Sequence, residues 1–133
     1  MDVITAIIQG DPPTVTAQQK GVMVRAGRPM FFTKKKVKDA QDALVIQLRK
    51  FAPRKPVEFP VLIKLKFAFR VTKARPNERV HGVRPDIDNL AKGALDALVP
   101  AGWLKDDSLI DQLVVEKCRV GDPYLEVTMK ERQ

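Results

Sequence analysis

The chain has 133 residues, with 24 Lys or Arg against 16 Asp or Glu, a formal net charge of +8 and a pI near 9.8. With 44% hydrophobic and 30% charged residues it reads as one globular domain around one core. No run approaches the roughly 18 apolar residues that span a bilayer, and one cysteine excludes an internal disulfide framework. Asp2, without a basic n-region, does not suit a signal peptide, so a cytoplasmic location is expected. Cys118 reads as a small buried apolar residue. The basic balance fits a polyanionic partner, with nucleic acid the usual one. It also fits a basic surface kept for solubility.

Asp2–Gly10, "DVITAIIQG", is β-branched and ends at glycine, as a strand does. Asp11–Met30 carries three prolines with Lys20, Arg25 and Arg28, and lacks sustained periodicity; it reads as a loop or arm. Thr33–Phe51 reads as a helix capped by Thr33, with Val37, Ala40, Leu44, Gln47 and Leu48 at helical spacing. Lys34, Lys35, Lys36 and Lys38 crowd its first turn, where the helix dipole disfavours cations. An anionic partner or a solvated basic end both account for that.

Val61–Val71 is the clearest strand. Val61, Ile63, Leu65, Phe67, Phe69 and Val71 form a core face, and Leu62, Lys64, Lys66, Ala68 and Arg70 the other. Val71–Pro85 is a basic loop whose lone histidine, His81, reads as polar surface. Asp86–Leu98 is the second helix candidate, with Ile87, Leu90, Ala94, Leu95 and Leu98 on its buried side. Gly93 in its middle costs about 1 kcal/mol relative to alanine and leaves room for a neighbouring backbone. Trp103 is expected in the core. Asp111–Val120 and Tyr124–Lys130 are strands joined by "GDP". The order β-α-β-α-β-β predicts a single small α+β domain over residues 1–133, with two helices packed on a mixed sheet.

The carboxylates carry the chemistry. Residues two apart on a helix diverge by roughly 200°, but in an extended segment they share a side. Pro85 biases Arg84 away from helix, which predicts Asp86 in an extended lead-in and Asp88 at or near the helix N-cap, facing one point. Lys92 follows one turn later on the same face. Of Asp106 and Asp107, adjacent in a turn, one is expected to face this point. Gathered carboxylates stay ionised together around a cation, and all-oxygen donors suit Mg²⁺ or Mn²⁺. Such ions activate water towards a phosphodiester, and Lys92 could neutralise the phosphate or orient the water. Spacing alone equally fits a helix cap with an exposed acidic turn. An EF-hand fails, since Leu90 and Ala91 stand where Asp or Asn and Gly are required. GxxxxGK[ST] is absent, one loop histidine makes no Ser-His-Asp set, and a D-x-D sugar transferase needs a larger substrate domain.

"RPDIDNLAKGALDAL" followed by "AGWLKDDSLI" resembles the signature of the RusA-type Holliday junction resolvases, a family of endodeoxyribonucleases. "IIQGDPPT" is similar to the family's first strand and proline-bearing loop, and "FFTKKKVKDAQDAL" to its entry into the first helix, with Lys35 in place of a frequent proline. The resemblance implies a homodimeric, Mg²⁺- or Mn²⁺-dependent enzyme that cuts four-way DNA junctions by paired symmetric nicks, in recombination and repair. It implies Asp86, Asp88 and Asp107 as metal-binding carboxylates, Lys92 as the catalytic lysine, and Asp106 as an acidic neighbour of open role. Lys20, Arg25, Arg28, Lys34, Lys35, Lys36, Lys73, Arg75, Arg79 and Arg84 are the expected phosphate contacts. The alternatives are a catalytically silent DNA-binding module and a nuclease for other branched or flap DNA.

Overall fold

A computed structural model describes residues 3–14, 22–25, 28–31 and 34–133. The described residues form six strands and two α-helices, in the order β1 (Ile4–Gln9), β2 (Val22–Arg25), β3 (Arg28–Phe31), α1 (Lys34–Arg49), β4 (Val61–Arg70), α2 (Ile87–Leu98), β5 (Ile110–Val120) and β6 (Tyr124–Glu131). Four of the strands form a mixed sheet in the order β1-β6-β4-β5. β6 is antiparallel to both β1 and β4, and β4 is parallel to β5. The fold is one small α+β domain, as expected. No helix among the described residues is long and apolar enough to cross a membrane.

β4 is the centre of the sheet. Val61, Ile63, Leu65, Phe67 and Phe69 are buried, whereas Lys64 and Arg70 on the alternate face are exposed. The buried row packs in one cluster with Leu44, Val45 and Leu48 of α1 and Leu90, Ala91, Ala94, Ala97 and Leu98 of α2. At roughly 25 cal/mol per Å² of apolar area, burying these side chains is the main force that seats the helices. Trp103 is wholly buried and donates from Nε1 to the Leu48 carbonyl at 2.8 Å. This ties the end of α1 to the segment that follows α2.

Several expectations change. Asp11–Met30 is not wholly a loop: β2 and β3 pair antiparallel in a separate two-stranded sheet, with Val24 opposite Pro29. Two strands without a third neighbour tolerate a proline, since its missing N–H can face outward. The "GDP" turn does not make neighbours of the strands it joins, because β4 lies between β5 and β6. His81 is not surface: it is 7% exposed and packs on Phe69 with ring centroids 4.8 Å apart. Cys118, expected to be buried, is half-buried, because it lies on β5 at the sheet's edge, covered there by the isolated Val80 bridge. Thr33 lies outside the described residues.

Candidate active site

α2 begins where the extended backbone ends. Asp86 is the N-cap, with φ −70° and ψ 141°, and its carbonyl accepts from the Leu90 amide at 3.1 Å. Asp88, expected at or near the cap, is therefore the second helical residue. Its carboxylate sits in the first turn, where the helix dipole favours negative charge. The Arg84–Pro85 peptide before it is cis.

An open cleft of about 750 Å³ runs between α2 and β5. Asp88, Lys92, Asp96 and Asp107 supply its polar groups, and Ile87, Leu95, Ile110, Leu113 and Val115 its apolar wall. Ile87, expected in the core, is 39% exposed and belongs to this wall. Lys92 is on the same face as Asp88, but its ammonium pairs downstream with Asp96 at 3.4 Å. The only local signal for Asp96 was its i+4 spacing from Lys92. Both partners are half-exposed, so the pair contributes no more than about 0.5 kcal/mol and leaves the lysine easily redirected to a phosphate.

Asp107 opens a single 3-10 turn, Asp107–Leu109, ahead of β5. Asp106, its cap, faces elsewhere: its carboxylate accepts from the Ser108 hydroxyl and its carbonyl from the Leu109 amide. So one acid of the adjacent pair enters the cleft and the other braces the turn. Asp86 is exposed at the helix entrance and does not line the cleft.

The two ends of the cleft are set by chain direction. Lys117 in β5 donates to the Pro85 carbonyl at the α2 entrance, whereas the end of α2 leads through residues 99–106 into the start of β5. α2 and β5 therefore run antiparallel. Asp86 and Asp88 lie towards the far end of β5, and Asp107 lies at its head. Among the described residues, no three His, Cys, Asp or Glu side chains gather within one chain as a group that could hold an ion. Donor chemistry still fits Mg²⁺ or Mn²⁺, which need only one or two carboxylates when water and phosphate complete the shell.

Of the expected phosphate contacts, Lys35, Lys36, Lys73, Arg75, Arg79 and Arg84 are exposed. Arg75 pairs with Glu78 at 3.2 Å, and Arg79 donates to the Pro76 carbonyl at 3.1 Å. Arg25 and Arg28 belong to β2 and β3, Lys34 opens α1, and Lys20 lies outside the described residues. Gln41 of α1 meets the Gly93 carbonyl of α2, and Arg49 meets Pro100. The two helices thus run in the same direction, and the basic first turn of α1 stands at the same end as Asp86 and Asp88.

The family model for endodeoxyribonuclease RusA matches residues 12–130. No curated protein matches the chain.

Proposed function

Since the chain belongs to the RusA endodeoxyribonuclease family, we propose that it resolves four-way DNA junctions by paired nicks, using Mg²⁺ or Mn²⁺, in cytoplasmic recombination and repair. The observation that supports this reading is that Asp88, Lys92 and Asp107 all line one cleft of a basic protein. Neither Asp88 nor Asp107 has an ion-pair partner among the described residues. Asp86, Asp88 and Asp107 are the proposed ligands. The bound ion would supply an activated water and charge stabilisation at the phosphodiester. Lys92, released from Asp96, neutralises the phosphate. The basic first turn of α1 and the loop before α2 hold the flanking backbone.

A homodimer follows from the junction's two-fold symmetry and also answers the division of the acids. Among the described residues β5 pairs only with β4 along its length, apart from the Val80–Cys118 bridge. Leu113 and Val114 on it are both exposed, as are nearby Val80 and Val83. An exposed apolar edge of this kind invites another strand. Two β5 strands pairing antiparallel would bring the head of one, with its Asp107, towards the Asp86 and Asp88 of the other. Each site would then draw on both copies.

Asp88→Asn tests the ligand assignment. Cutting is expected to disappear while junction binding in metal-free buffer stays within about two-fold, since the loss is of a ligand and not of a phosphate contact. Cutting at the normal rate would remove Asp88 from the site.

A further inference from the structure

We infer that Lys117 is a positioning residue for Asp86. The inference rests on the proposed ion site. The strand register puts Ile8, Leu125, Phe67 and Lys117 in one row across the sheet. Leu125 and Phe67 are buried beneath the helices, so this row is on the core face. A lysine that ends an apolar row lays its stem along it and turns its ammonium towards oxygen partners at the sheet's edge, and Lys117 is half-buried there. Lys117 finds two. Its ammonium donates to the Val83 carbonyl at 2.6 Å and to the Pro85 carbonyl at 2.9 Å. These two carbonyls bracket Arg84 and come immediately before Asp86.

The same loop is also fastened further upstream on β5 and β4. The Arg119 amide donates to the Arg79 carbonyl at 2.9 Å, and His81 packs on Phe69. Both lie upstream, and neither reaches the residue before Asp86. Asp86 has no side-chain capping bond of its own; its cap is held only through its carbonyl, by the Leu90 amide, which leaves the chain ahead of it to be fixed by other groups. The Lys117 ammonium supplies that constraint through charge-assisted bonds, which are about twice as strong as neutral ones. In the absence of those bonds, the lead-in keeps its fold but loses the fixed approach that aims Asp86 at the ion. Groups that orient a metal ligand typically govern affinity by about 10–100-fold.

The test compares Lys117→Met, Lys117→Arg and the unaltered chain by Mn²⁺ calorimetry, together with metal-free binding to a synthetic four-way junction. Methionine keeps the apolar stem and removes both bonds; arginine keeps a charged donor. We expect Lys117→Met to weaken Mn²⁺ binding about tenfold, Lys117→Arg to recover most of it, and metal-free junction affinity to move less than about two-fold. Lys117→Gln, with a neutral donor and no charge to bury, serves if the methionine variant does not fold, and is expected between the two. Unaltered Mn²⁺ affinity in the folded methionine or glutamine variant would overturn the inference alone. No Mn²⁺ binding by the unaltered chain would overturn the ion site and this inference with it.

Discussion

Lys92 lies one helical turn from Asp88 and one from Asp96, and it pairs with the latter. That choice leaves Asp88 without an ion-pair partner among the described residues, at the positive end of α2. The sequence spacing of Asp88 and Lys92 made their shared face legible. Asp96 was not legible as part of the site, because its exposure to the cleft depends on β5 opposite it. His81 also escaped the sequence. A single histidine in a basic loop looks solvated, and only the packing of the loop onto Phe69 buries it. Burial lowers its pKa from 6.5, helped by the charges of Arg119 and Lys117. The unfolded chain therefore takes up the proton first. Stability is expected to be unaffected by His81 above about pH 6.5, to fall as the pH drops below that value, and to level once the folded histidine is itself protonated. Chemical denaturation of the unaltered chain and of His81→Phe across this range checks the sign: the dependence should be shallower in the variant, and equal slopes would contradict it.

At the scale of elements, periodicity was the guide that worked. β4 alternates, and its observed faces follow that alternation except at Ala68, which is buried on the alternate face. α1 and α2 were legible from their apolar spacing, with ends shifted by a residue or two. β2 and β3 were not legible, since four residues a side and an internal proline give no sustained pattern. The insertion of β4 between β5 and β6 was equally hidden, because pairing partners distant in the chain leave no local mark. Asp86, extended as expected, is the cap in place of Asp88, because the helix begins about a half-turn, two residues, sooner than expected. Trp103 illustrates how elements are joined. Its indole N–H is the partner of a buried carbonyl at the end of α1. Trp103→Phe keeps most of the apolar volume but removes that bond, leaving the Leu48 carbonyl to the Phe51 amide alone, and should cost about 1 kcal/mol. Urea unfolding should show a lowered midpoint at unchanged m; an unchanged midpoint would mean that water replaces the indole at no cost.

For the whole molecule, antiparallel α2 and β5 set the acids at the two ends of the cleft within one chain, and the proposed second copy across the β5 edge would reunite them. Mixing two inactive variants distinguishes a shared site from a private one. In a heterodimer of Asp88→Asn and Asp107→Asn, a shared arrangement leaves one site with both acids intact, so nicking of one strand returns. If each chain holds its own ion, no mixture cuts. The central claim is that this basic α+β chain is a junction-selective, metal-dependent endonuclease. The most direct measurement incubates it with a synthetic four-way junction, a flap and a linear duplex, with and without Mg²⁺. The account predicts paired symmetric nicks in the junction alone, and only with the ion. Equal cutting of all three substrates would contradict junction selectivity, and cutting of none would contradict the enzyme.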